Sequence, residues 1–392
     1  MKIKKNSIDV FLIMLLMIGA IFPTAIAKQL ISLSLAFLVL RIILSKDILL
    51  YVKQKIIIFL LLTPGILGSI FLAPEHTIRF SGILILALGF PFSSFKIMNS
   101  SIIVLLSLSL FYLFITQILL MQGNETILDF RELNYEYDIL GAHQNYGTTE
   151  SKSTNLIKNA LNFKYGTVRG GGLYSNPNLL AGVVILYFFI FDITWKYLNQ
   201  ITNQNKKNWK TFFYWLIFLL VLHSLMQTKS KTYLIAFLVY YIFQYFDVIN
   251  FLRLRFKKKF IFFLFMGVGI LTLFFERFIE GILQGGSANI KYKILINYLE
   301  QASAYNIIFG GTFDLGFDTE YGYWIGAIGL SGIFAFYIFY KMVFKFSTQS
   351  RLLIFSLLII SFGASLFYNL LLVSILIPLF VLLLSSNKKI NK

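Results

Sequence analysis

The sequence predicts an all-α, polytopic integral membrane protein with about twelve transmembrane helices and two large outer-face loops. Of its 392 residues, 58% are hydrophobic and 13% charged, whereas a soluble domain is about half apolar and a quarter charged. Mean hydropathy is +0.76, and apolar runs of roughly 20 residues recur, the length that spans a bilayer. Continuous apolarity over such runs excludes the alternating strands of an outer-membrane barrel. Backbone in hydrocarbon has to satisfy its own hydrogen bonds, so the runs are read as helices. Disorder is excluded for the bulk of the chain by the same composition. There is no cysteine, which removes disulfide, zinc–thiolate and iron–sulfur sites.

In chain order, apolar runs bounded by charges or turn residues place spans at 8–27, 29–45, 54–73, 78–95 and 99–121. A polar loop follows at 122–177, then spans at 178–199, 211–226, 232–249 and 260–276. A second polar loop covers 277–321, before spans at 322–345, 352–368 and 369–385. The chain therefore reads as helices 1–5 (1–121), a first large loop (122–177), helices 6–9 (178–276), a second large loop (277–321), and helices 10–12 with a tail (322–392). The start, Met1-Lys2-Ile3-Lys4-Lys5 with Ala25-Ile26-Ala27 downstream, imitates a cleavable signal. Its apolar stretch is long enough to span and a second span follows at once, which favours a retained helix. Within the first loop, Leu156, Ile157, Ala160, Leu161 and Phe163 share one face, as in an interfacial helix. In the second, Ser287 can cap a helix, and Gly285-Gly286 and Gly310-Gly311 mark its ends.

The net charge of +18 reads as topology. With the N-terminus inside, 23 of the 35 lysines and arginines fall at cytoplasmic ends beside four acids, a local net of +19. The outer side holds 12 cations and 13 acids, a net of −1. Both large loops then lie outside and both termini inside. The surplus is an attraction to anionic inner-leaflet lipid, and no nucleic acid partner is expected. No inner loop is long enough for an ATPase or kinase domain, and no GxxxxGK[ST] occurs. Chemistry on the outer face has no nucleotide and needs a substrate that is already activated.

Three clusters carry candidate chemistry. The densest runs from Arg169-Gly170-Gly171-Gly172 through Tyr174, Ser175, Asn176 and Pro177 to Asn178, directly into a span. Glycines permit close backbone approach, Ser175 or Asn178 can cap the helix, and an arginine beside free helix N–H groups suits an anion such as phosphate. An ordinary glycine loop with a snorkelling arginine is the alternative. The second cluster, Thr228-Lys229-Ser230-Lys231-Thr232, is a short outer hairpin whose lysines run against the inside-positive bias. The third is Gly310-Gly311-Thr312-Phe313-Asp314 followed by Asp318-Thr319-Glu320-Tyr321. Its carboxylates are either solvated helix caps or a base facing a cleft. An acidic triplet is a weak metal signal and no metal is assigned. His76, His143 and His223 show no ligand spacing, and Asp192 is explained by an ion pair with Lys196 four residues on.

Arranged along the chain, these pieces resemble the bacterial O-antigen polymerase and O-antigen ligase superfamily. The resemblance rests on R-G-G-G-L-Y-S-N-P-N-L-L-A at 169–181, T-K-S-K-T at 228–232 and G-G…D-T-E-Y…G-L-S-G at 310–332, and covers roughly 160–335. It implies a glycosyltransferase acting on undecaprenyl-diphosphate-linked glycans at the outer face of the inner membrane, without nucleotide, metal or other cofactor. It also implies that outer-loop cations hold the diphosphate. In this chain they are Arg169 with Gly170, Gly171, Gly172, Asn176 and Asn178, then Lys231, Arg277, Lys291 and Lys293. Asp318 and Glu320 are the candidate catalytic residues, activating the acceptor hydroxyl. The family's hairpin usually carries Ser-Arg where Ser230-Lys231 stands, so the bidentate fork is lost there. The ligase branch usually has a histidine in the second loop, and none occurs in 277–321, which favours polymerase of O-antigen or capsular repeat units. The alternatives are the ligase, which transfers glycan to lipid A core, and a lipid-linked oligosaccharide flippase. A chain-length regulator and a flippase are candidate protein partners, alongside the lipid bilayer.

Overall fold

The computed structural model describes residues 5–21, 25–43, 48–72, 100–122, 172–174, 177–202, 207–245, 297–310, 326, 328–344, 348–361 and 370–387. Among them every regular element is helical. In chain order the helices are α1 (Lys5–Ile21), α2 (Ala25–Ile43), α3 (Ile48–Leu72), α4 (Ser100–Met121), α5 (Pro177–Thr202) and α6 (Lys207–Thr228). They continue with α7 (Lys231–Tyr245), α8 (Ala304–Phe309), α9 (Gly329–Phe344), α10 (Thr348–Ile360) and α11 (Leu370–Asn387). Three of the described helices are long and apolar enough to cross a membrane: Ser100–Met121, Pro177–Asn199 and Trp209–Thr228. At 1.5 Å per residue, 22 residues of α4 run about 33 Å, matching a hydrocarbon core of about 30 Å. Shorter apolar stretches occupy α1, α2, α3, α9 and α11.

Several serine and threonine hydroxyls inside these apolar helices are satisfied locally. Ser107 and Ser109 donate to Ile103 O and Leu105 O, Thr194 to Ile190 O, and Ser356 to Leu352 O, each one turn back. The backbone carbonyl supplies what hydrocarbon cannot. Pro64 inside α3 is tolerated in a similar setting, with Thr63 Oγ1 donating to Phe59 O at 2.8 Å and Ser69 Oγ to Gly65 O at 2.7 Å.

The chain divides into two compact units, one of Met1–Ile48, Pro91–Leu234 and Asn369–Lys392, the other of Leu49–Phe90 and Ile235–Tyr368. In the first, α5 is the hub, packed by α4, α6 and α11, while α1 packs on α2, α4 and α11. Every residue of α5 from Leu180 to Thr194 is buried. A helix apolar all round is a core helix, and α5 behaves as one. Gly182 permits the close approach, because a Cβ there would sit 3.0 Å from both Leu372 Cδ2 and the Tyr233 hydroxyl. By contrast α4 exposes Val104, Leu108, Phe111 and Ile115, and α6 exposes Phe212, Leu216, Leu219 and Met226. Each set follows the helical period, so each helix presents one continuous apolar stripe outward. In water such stripes would be a liability, whereas acyl chains are a matched solvent for them.

α1 is tied into this core by two tyrosines. Tyr174 donates to Ala20 O at 2.6 Å and Tyr187 donates to Met17 O. Ala20 O is among the last carbonyls of α1, which have no partner within the helix, so the Tyr174 hydroxyl acts as a C-cap. Toward the other end of α5, the fully buried Asp192 accepts from Lys196 Nζ at 2.5 Å and from the Tyr214 hydroxyl of α6 at 2.6 Å. The expected Asp192–Lys196 pair is present, with Tyr214 as a further donor that joins α5 to α6. Phe191 stacks on Trp195 and on Tyr214, shielding the carboxylate with rings.

In the second unit α8 packs on α9 and α9 on α10. Ser303 caps α8, its hydroxyl accepting from Asn306 N–H at 3.2 Å, and Gly310 ends it at φ 77°, its N–H donating to Asn306 O at 2.7 Å. Glycine punctuation at Gly310 was expected from the sequence. The short helix before it, set by Ser303, was not.

Candidate functional site

Four chain segments meet at the N-terminal end of α5. The α4 C-terminus, the α6 C-terminus and the α7 N-terminus lie at this end because successive helices run antiparallel, and Gly172–Tyr174 lead into α5 itself. Gly172 has φ 56°, the left-handed conformation that L side chains resist. A Cβ there would lie 3.5 Å from Leu180 Cδ2 and 3.7 Å from both Thr116 Oγ1 and Gln117 N. The torsion therefore demands glycine more than the space does, and the end of the glycine run rests on the last turns of α4. Tyr174 is fully buried, and burial, helped by the nearby Tyr112, holds its phenol well above the ordinary value. It stays a neutral donor to Ala20 O.

Pro177 occupies the first turn of α5, where its missing N–H costs nothing and its φ is pre-set. This puts Asn178 inside that turn, half-buried, rather than at the cap position open to it in the sequence.

The α6–α7 hairpin is tighter than the sequence implied, with only Lys229 and Ser230 between the helices. Its small polar residues point inward and its lysines outward: Thr228 and Ser230 are buried, Lys229 and Lys231 exposed. Thr228 Oγ1 donates to Leu225 O at 2.7 Å and accepts from Ser230 N–H at 3.3 Å. Ser230 O takes the first bond of α7, from Leu234 N–H at 3.1 Å. Lys229 holds φ 52°, a left-handed position where glycine would be cheaper by about 1–2 kcal/mol. Lys229 is the residue after the last of α6, where a left-handed conformation commonly ends a helix.

Between α4 and α6 lies a pair that the sequence reading missed. Ser224 Oγ donates to Gln117 Oε1 at 2.7 Å, and Gln117 Nε2 donates to Ser224 O at 3.1 Å. Both residues are buried. The available signal was a glutamine in an apolar span, Ile115-Thr116-Gln117-Ile118, but its partner is 107 residues away. Beside it, His223 is exposed, packs edge-on against Phe114 at 5.4 Å, and stands 3.4 Å from Gln227 Nε2.

The second unit brings the two ends of the third motif together. Gly329, at φ 59°, lies so close to α8 that a Cβ would sit 2.5 Å from Gly310 N and 2.6 Å from Ile308 C and O. Backbone packs on backbone, so the chain leaves at Gly310 and returns at Gly329 to the same point. Gly310 and Gly329 thus share one close backbone contact, which their separation in sequence concealed.

Of the sequence-derived site residues, Gly172, Asn178 and Lys231 are among the described residues, all at the α5 end of the first unit. Arg169, Gly170, Gly171, Asn176, Arg277, Lys291, Lys293, Asp318 and Glu320 lie outside the described residues. Among the described residues no group of three histidine or acidic side chains is gathered as metal ligands would be. No family model matches the chain, and neither the curated proteins nor the solved structures give a significant match.

Proposed function

We propose that this chain is a polymerase of undecaprenyl-diphosphate-linked oligosaccharide repeat units, of O-antigen or capsule, working at the outer face of a bacterial inner membrane. The observation that carries the reading is the meeting of Gly172, the α5 N-terminus and the exposed Lys229 and Lys231 at one end of an apolar bundle. Helix N–H groups, a glycine approach and cations are what a diphosphate at a membrane surface requires.

In this mechanism the acceptor sugar hydroxyl attacks the anomeric carbon of the growing chain. The bond from that carbon to the diphosphate oxygen breaks, and its electron pair leaves with undecaprenyl diphosphate. Arg169 offsets the charge developing on the leaving group, and Lys231 holds the diphosphate alike in donor and transition state, with Arg277, Lys291 and Lys293 as further cations. Asp318, or Glu320 in its place, takes the hydroxyl proton. The donor carries its own activation, so the proposed reaction uses neither nucleotide nor metal.

A strain lacking the chain is expected to make glycan with a single repeat, and the wild-type gene to restore the ladder on a polyacrylamide gel. An unmodified lipid A core would instead identify a ligase. Accumulation of lipid-linked repeats on the cytoplasmic side would identify a flippase.

The proposed topology has about twelve spans, both termini and the 200–210 and 250–259 loops in the cytoplasm, and 122–177 and 277–321 outside. Because the chain has no cysteine, Asn205→Cys and Thr149→Cys test it with an impermeant maleimide. In intact spheroplasts position 149 is expected to label and position 205 to stay unlabelled. Labelling at 205 would invert the scheme.

A further inference from the structure

The Gln117–Ser224 pair is buried polar chemistry that membrane insertion does not ask for. Interhelical hydrogen bonds stabilise membrane proteins only modestly, and two apolar side chains of similar volume would pack α4 against α6 as well. What a reciprocal pair adds is direction. It sets both the rise and the rotation of one helix against the other, because each residue donates to its partner.

Both ends of the pair continue into the proposed anion site. On α4, the same turn faces Gly172, where an added Cβ would lie 3.7 Å from both Thr116 Oγ1 and Gln117 N. On α6, Ser224 is one turn before Thr228, whose buried hydroxyl holds the N–H of Ser230. Ser230 in turn separates the exposed Lys229 and Lys231. Neighbouring positions therefore lead from Gly172 to the hairpin lysines, with the Gln117–Ser224 pair between them.

We infer that Gln117 and Ser224 are positioning residues of the diphosphate site, fixing the separation between Gly172 and Lys231 without touching substrate. This rests on the reading of that end as the site where undecaprenyl diphosphate is held. Slippage of α6 against α4 would misplace a cation that contacts the same group in donor and transition state, so it raises KM more than it lowers kcat.

The test uses the purified full chain in nanodiscs with an undecaprenyl-diphosphate-linked repeat unit. Gln117→Leu and Ser224→Ala are each expected to raise KM about tenfold with kcat within about twofold. The double variant should be no worse than Gln117→Leu alone, because Gln117→Leu already removes both bonds while Ser224→Ala spares the one to the Ser224 carbonyl. Ser224→Thr keeps the hydroxyl and should stay near wild type, while Gln117→Asn, too short to reach, should behave as Gln117→Leu. Variants that lower only the unfolding temperature and leave KM unchanged would make the pair structural and overturn the inference. Lys231→Ala, run alongside, separates the two levels: if it leaves KM untouched, the site reading has failed, whatever the pair does.

Discussion

Arg169→Ala, expressed at wild-type level, is expected to reduce the product to single repeat units. The glycosyl–diphosphate bond breaks with charge building on the bridging oxygen, and a guanidinium can meet two diphosphate oxygens at once. Hydrogen bonds to charged groups contribute about 1.5–3 kcal/mol each, so losing two slows transfer roughly a hundredfold or more. Arg169→Lys keeps the charge without the fork and is expected to fall between, giving short ladders. Asp318→Asn supplies the complementary result. Asparagine caps a helix nearly as well as aspartate but takes no proton, so folded protein with single-repeat product marks a base. Should Glu320→Gln alone stop elongation, the base is Glu320. Ladders of normal length from Arg169→Ala would remove Arg169 from the site.

Gly329→Ala is expected to cost more stability than any other single methyl added at the described glycines outside the helix interiors. The left-handed torsion alone penalises an L residue by about 1–2 kcal/mol. At this position the new carbon would also stand 2.5 Å from Gly310 N and 2.6 Å from Ile308 O, both backbone atoms that no rotamer change can move. Overpacking of that kind adds roughly 1–3 kcal/mol. Gly172→Ala is the matched control. It shares the torsion, φ 56° against 59°, but has clearances of 3.5 Å and beyond. The drop in unfolding midpoint in detergent should therefore be clearly larger for Gly329→Ala than for Gly172→Ala. Equal drops would mean that the α8–α9 backbone contact contributes nothing.

Several elements are readable directly along the chain. Uninterrupted apolar runs specify helices, since no other backbone closes its own hydrogen bonds in hydrocarbon. The breaks at Thr228-Lys229-Ser230 and at Gly310 are local chemistry, a polar turn and a glycine stop, and both stand where the sequence marks them. The Asp192–Lys196 pair is one helical turn and needs no tertiary knowledge. Of the candidate site, the last residue of the glycine run, the start of α5 and the hairpin lysines share one end, as an alternating up-and-down helix order requires.

Tertiary structure alone decided which apolar helix is core and which faces outward. α5 and α6 are both continuous apolar runs, yet α5 is buried nearly throughout while α6 exposes Phe212, Leu216 and Leu219. Lipid tails and protein cores are equally apolar, so hydropathy cannot separate them. Tertiary structure also decided the long-range polar partners: Tyr174 with Ala20 across 154 residues, Gln117 with Ser224 across 107, and Gly329 against Gly310. Hydrogen bonds and close backbone contacts are short-ranged and directional. They depend on how helices are rotated and set in depth against one another, and that geometry comes from packing, which one helix's own residues do not encode.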